Sequence, residues 1–287
     1  MGARPAGAAG PVAPAAPVGP YVIGIETGGE HLGVALGVVH GVVGAARVEL
    51  LGEMVMHRGR RHADVVLAFI DTLLTQQDLA PRDIGLVAVG RGPGSFTGIR
   101  VGLATALGLA AGGAPATPAT TVWPVSSLAG LAQHAGLRTR AAGGTLALVM
   151  LDARRGEVYG GLYRAFADHP PEVLLAPRAG TCEAVLAAAG VAREHAFRQV
   201  APTERDWLCF GSGAVQNQVA SPVPDDFHIA SARELARLAV WEWDAAGRDA
   251  ARAPALDAAY LRASEAERAA DARDQAAAQA ATNPESD

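Results

Sequence analysis

The chain has 287 residues, a formal charge of -5 at pH 7 and half of its residues hydrophobic, with few aromatics. That length suits two compact domains, and the acidic balance gives no sign of the basic face of a free-standing nucleic-acid binder, which leaves room only for a local basic patch. All 24 basic residues are arginine. Without lysine there is no Walker-type phosphate lysine and no Schiff-base lysine. The two cysteines, Cys182 and Cys209, lie far apart and form no CxxC pair, which fits a reducing compartment.

The first twenty residues, rich in Pro, Gly and Ala, lack a basic start and a continuous apolar run, so they read as a disordered tail rather than a secretory signal. "YVIGIETGGEHLGVALGVV" predicts two strands joined by a tight turn at Gly28-Gly29, and "AARVELLGEMVMH" a third. "RHADVVLAFIDTLLTQQ" predicts a helix whose polar residues, Asp64, Asp71 and Thr75, form one narrow stripe. Its apolar cover is wider than one sheet-facing stripe needs. "DIGLVAVG" is a continuous apolar strand of the kind buried on both faces.

A glycine-rich loop, Arg91 to Gly98, then leads into a helix predicted over Ile99–Ala111. The loop is neither a Walker A loop nor GxGxxG, and Ser95 directly after Gly94 breaks the GxSxG pattern. It reads either as an anion cradle at a helix N-terminus or as a tight turn with Thr97 capping. The helix has only Arg100 and Thr105 as polar residues. A helix apolar all round is buried all round, under a partner or between two domains. The two-sided helix before it favours the partner: two such helices from each of two chains make a four-helix contact.

"AGGAPATPATT" reads as a linker. "VWPVSSLAGLAQHA" gives a strand end and a helix capped by Ser126 or Ser127. "TLALVMLDARRGEVYGGLYRAF" gives two strands around a charged turn carrying Asp152, Arg154, Arg155 and Glu157, either an anion site or a turn held by its own ion pairs. "TCEAVLAAAG" reads as a helix ended by its glycine, "WLCFGSGA" as a strand entering a glycine turn, and "SARELARLAVWEWDAAG" as an amphipathic helix. The eight histidines include no i, i+4 pair. His57 and His62, the closest two, would face different ways on a helix and read as surface or capping residues. No catalytic set and no metal site is identifiable. The longest apolar run, about fourteen residues after Arg100, is short of the roughly 20 a membrane span needs.

"IGIETGGEHLGVALG", "VAVGRGPGSFTGIRVGLATALGLAAG", "VSSLAGLAQ" and "LDARRGEVYGGLYR", with the late Tyr260-Leu261-Arg262, occur in the order and spacing of the TsaB family, also called YeaZ, and the chain resembles that family from about Tyr21 to Arg262. The resemblance implies an α/β, actin-like and sugar-kinase-like (ASKHA) fold of two subdomains with mixed sheets flanked by helices. The expected divisions are a tail at 1–20, a first subdomain at 21–116 carrying the dimerisation helices, a second at 117–230, a C-terminal helix packing back at 231–262, and a polar tail at 263–287.

The resemblance also implies a non-catalytic role in making threonylcarbamoyladenosine in tRNA, in the cytoplasm, with no membrane. The implied partners are a TsaD-type catalytic subunit, a TsaE-type ATPase, tRNA through the complex, and a second copy in isolation. No cofactor of its own is expected; ATP or ADP and metal belong to the partner subunits. TsaD-type chains carry HxxxH on a helix, where this chain has only His62.

The expected partner interface is Val65, Val66, Phe69 and Leu73 on one helix with Val101, Ala104 and Leu107 on the next. Phe69→Asp or Ala104→Arg is then expected to disrupt a complex while the monomer stays folded. Glu26, Gly92, Gly94, Ser95, Thr97 and Gly98 are the candidate vestigial nucleotide or anion loop. Glu26-Thr27-Gly28 departs from the Asp-Thr-Ser common in the family. The alternative is an independent ATP-binding enzyme of the actin-like class, with Glu26, Gly94, Ser95 and Thr97 at the phosphates. A metalloprotease reading fails on the missing histidine pair.

Overall fold

The computed structural model describes residues 20–57, 62–112, 119–139, 143–196, 207–259 and 261, and the side chains of 62–64 fall outside that set. Residues 1–19 of the expected N-terminal tail, the whole C-terminal tail, most of the linker, Tyr260 and Arg262 also lie outside the described residues.

The first sheet starts with an antiparallel meander of β1 (Tyr21–Glu26), β2 (His31–His40) and β3 (Arg47–His57). Helix α1 (His62–Thr75) crosses to β4 (Ile84–Gly90), and α2 (Phe96–Ala111) crosses to β5 (Thr121–Val125). The strand order is β3-β2-β1-β4-β5, and β4 runs parallel to both β1 and β5. Residues of β1 alternate between two cores. Ile23 and Ile25 face α1 and α2, while Val22 faces α6 (Ala232–Ala245). Cover on both sides explains the unbroken apolar runs of β1 and β4.

The second sheet repeats the plan. β6 (Thr145–Asp152), β7 (Glu157–Ala165) and β8 (Glu172–Thr181) form a meander, and β9 (Leu208–Phe210) adds parallel to β6, in the order β8-β7-β6-β9. Its two cores lie under α3 (Ser127–Thr139) on one side and α4 (Cys182–Ala196) on the other. The short α5 (Ser212–Gln216) follows β9. The two sheets meet where α3 packs on α6.

Several elements depart from expectation. β5, placed beyond the first subdomain by the division at 116, is the fifth strand of the first sheet. β8 carries no recognisable strand signal, because it is a half-exposed edge strand with Pro177 inside it. α4 continues past Gly190 to Ala196, and α2 begins at Phe96 rather than Ile99. By contrast, His57 closes the third strand, where "AARVELLGEMVMH" puts it.

Candidate functional site

The loop between β4 and α2 closes on the turn between β1 and β2. The Ser95 amide donates to the Gly28 carbonyl at 2.7 Å, and Thr27 Oγ1 donates to the Gly98 carbonyl at 2.8 Å. Ser95, not Thr97, caps α2: its Oγ accepts from the Gly98 amide at 3.3 Å. A side chain at Gly94 would press on the Gly28 carbonyl, and one at Gly98 would overlap the Thr27 carbonyl. Gly92 is buried, and its carbonyl accepts from the Ser127 amide. The glycines therefore admit the chain's own backbone.

Glu26 lies at the base of this arrangement, 1% exposed. Its carboxylate accepts from the Gly28 amide at 2.7 Å and from Ser127 Oγ at 2.6 Å. A buried carboxyl group thus lies beside the loop, and the Ser95 and Gly98 amides are already bonded inside the chain.

The helices α1 and α2 pack side by side on one face of the first sheet. On α1 the buried stripe is Val66, Phe69, Ile70, Leu73 and Leu74, an i, i+3, i+4, i+7, i+8 pattern. Val66, Phe69 and Leu73 thus sit inside the chain's own core and are not open to a partner. Phe69→Asp would bury a charge there and unfold the chain rather than merely separate a complex. Val65 and Val101 are half-buried against the same core. On α2, Gly98, Ile99, Gly102, Leu103 and Ala106 face the sheet. Of the expected interface residues, Ala104 and Leu107 face outward, and Leu107 is 50% exposed. The outward stripe of α2 runs Arg100, Ala104, Leu107, Gly108, Ala111, beside the exposed Leu67 of α1. Leu67 carries no distinguishing sequence signal because it lies within an apolar run.

A cleft of about 550 Å³ opens between the β1–β2 turn and the second sheet, lined among others by Glu30, His31, Asp152, Arg154, Ser212 and His228. Arg154 lies 3.4 Å from Glu30 and 3.5 Å from Asp152, so the charged turn is held by ion pairs. Among the described residues, no three His, Cys, Asp or Glu side chains gather as a metal-binding group, and no helix is long and apolar enough to cross a membrane.

A family model described as TsaD, tRNA N6-adenosine threonylcarbamoyltransferase, matches residues 56–213, more than half of the chain. The solved structure "YeaZ from Pseudomonas aeruginosa" superposes with a TM-score of 0.56 at 26% identity, covering 82% of this chain and 99% of that one. The chain belongs to the TsaB (YeaZ) family.

TsaB of Escherichia coli K12, a "tRNA threonylcarbamoyladenosine biosynthesis protein", is 40% identical over 105 residues, which is 37% of this chain and 42% of that relative. TsaB of Bacillus subtilis 168 is 30% identical over 151 residues, 50% of this chain and 55% of that relative. The chain spans about half the length of the curated relatives it matches. The two mixed sheets with flanking helices form the α/β, ASKHA-like fold expected of a TsaB-family chain.

Within this TsaB-family fold, Glu26 gives a pH test of the closed loop. Burial pushes its carboxyl above the ordinary 4.5, and the bonds from Ser127 and Gly28 pull it only partly back. The folded state therefore holds this proton more tightly than the unfolded chain. Stability from this group is complete below pH 4.5 and is lost as pH rises through the folded value. Glu26→Gln keeps an acceptor for the Gly28 amide and does not ionise. Urea melts are expected to show the variant gaining on the parent between pH 4 and 7. A constant difference between the two would count against a buried, titrating Glu26.

Proposed function

We propose that this chain is a non-catalytic subunit in the formation of tRNA threonylcarbamoyladenosine, where it holds a TsaD-type catalytic subunit against the outward face of α1 and α2. The observation that carries the reading is the stripe Ala104, Leu107, Gly108 and Ala111 with Leu67. Small residues around two exposed leucines let a partner helix approach closely and bury apolar area that otherwise faces water. The family relationship supplies the pathway, and the closed loop beside Glu26 supports a subunit that leaves nucleotide chemistry to its partners. A TsaE-type ATPase and tRNA join through the complex, in the cytoplasm. In isolation a second copy covers the same helices.

Leu107→Arg tests the face. Its side chain already meets solvent, so the monomer is expected to keep its thermal midpoint. The affinity for the TsaD-type subunit, titrated by calorimetry, is expected to fall by about thirtyfold or more, as for a central apolar contact. An unchanged affinity would place the interface elsewhere.

A further inference from the structure

Two histidines far apart in the sequence meet at one corner of the first sheet. His31 opens β2 and His57 closes β3, and the antiparallel register sets them directly opposite. Directly opposed residues carry their side chains on the same face with Cβ atoms about 5 Å apart. The two rings follow, with centroids 4.8 Å apart and planes inclined at 55°. Other imidazoles are bonded elsewhere: His40 to Glu49, His134 to Arg138, and His228 to the Gly211 amide. His31 and His57 face each other instead. His57 is exposed and His31 half-buried, so the corner is open to solvent.

We propose that His31 and His57 chelate a borderline transition-metal ion of the Zn²⁺, Ni²⁺ and Cu²⁺ class across the β2–β3 ladder. Imidazole nitrogen suits these ions, whereas Mg²⁺ and Ca²⁺ take oxygen ligands. Metal–nitrogen bonds of about 2.0–2.1 Å in a tetrahedral shell put two ligand nitrogens about 3.3 Å apart. Rings on directly opposed residues with centroids 4.8 Å apart lie in the range where both can reach one ion. Glu30 next to His31 brings negative charge that it shares with the Arg154 guanidinium 3.4 Å away. Two protein ligands leave the other positions to water, so the site is a chelating clamp and not a closed structural one. It ties the end of β3 to the start of β2. This inference stands apart from the assembly reading and does not depend on it.

The untagged full chain is titrated with ZnCl₂, NiCl₂ and MgCl₂ by calorimetry, and with CuCl₂ by electron paramagnetic resonance. The expected result is one Zn²⁺ or Ni²⁺ per chain and none for Mg²⁺. His31→Asn and His57→Asn are each expected to weaken Zn²⁺ binding by about tenfold or more, while His40→Asn leaves it unchanged. The Cu²⁺ spectrum is expected to show two coordinated imidazole nitrogens in the parent and one in each variant. Far-UV circular dichroism confirms that the variants are folded. No saturation below about 0.1 mM Zn²⁺, or equal binding in a folded His57→Asn chain, overturns the proposal.

Discussion

Gly98→Val is expected to destabilise the folded chain by about 4 kcal/mol or more, in the range reserved for steric conflicts a core cannot relax. Gly98 is the third residue of α2, and its α-carbon lies against the carbonyl of Thr27 at the end of β1. A new Cβ overlaps a backbone oxygen, so no rotamer change relieves it. The helix has to move off the sheet, breaking the Thr27 Oγ1 to Gly98 carbonyl bond and the Ser95 cap. Gly108→Ala on the same helix is the control. A Cβ there meets nothing within 4 Å. In an exposed helix interior, alanine is favoured over glycine by about 1 kcal/mol, so this variant is expected to be more stable than the parent. Urea denaturation of both variants reads the contrast directly. Equal midpoints would mean that α2 does not seat on the Thr27–Gly28 turn. If the outward stripe also meets a partner, Gly108→Ala separates the two properties, because it stabilises the monomer while adding a methyl to the proposed docking face.

That contrast also marks what the sequence could and could not reveal. The strands β1 to β4 and helix α1 were legible because alternation, continuous apolar runs and a full helical stripe each carry a period tied to one kind of packing. The GPGSFTGIR stretch was legible as a strand-to-helix turn. What fills the turn was not, since the Thr27–Gly28 carbonyls come from some seventy residues earlier. On α2 two of the three expected residues, Ala104 and Leu107, face outward, while Val101 is half-buried against the core. The inward residues Gly98, Gly102 and Ala106 and the outward residues Ala104, Gly108 and Ala111 are equally small, so composition gives no direction. On α1 the expected interface falls largely on the sheet-facing stripe, and among the described residues Leu67 is the large apolar side chain left exposed. The His31–His57 pair and the bonds of Asp244 to the Gly44 and Ala46 amides join distant positions through strand register and helix docking. No local pattern encodes such contacts.

His134 is expected to make the chain acid-labile between pH 6.5 and 4. It lies on α3, 2% exposed, with its ring stacked on Phe227 at 4.8 Å. Nε2 accepts from Arg138 Nε at 3.3 Å, which fixes the neutral ring as an acceptor. Burial first, and then Arg233, with Arg138 and Arg237 adding to it, push the imidazole from 6.5 down to about 4, against the opposing pull of Asp226. The folded state thus refuses a proton that the unfolded chain accepts. The stability from this group is complete above pH 6.5 and is lost as pH falls through the folded value of about 4. A gap of that size is worth about 3 kcal/mol, a large part of the stability of an ordinary domain. His134→Gln supplies an oxygen for Arg138 and does not titrate. The parent is expected to lose about 3 kcal/mol more than this variant between pH 7 and 4 in urea melts. Parallel curves would mean that the imidazole is hydrated or already charged in the folded chain. The position of His134 gives the effect a structural reading. It sits in the polar seam where α3, α6 and the turn at Asp225–His228 come together, beside the ion pairs of Arg233 and Arg237 with Glu234. A charged ring there adds a fourth cation to the three arginines that already surround it. Acid is therefore expected to loosen the packing of α3 on α6, the contact that joins the two sheets, before it disturbs the strands of either one.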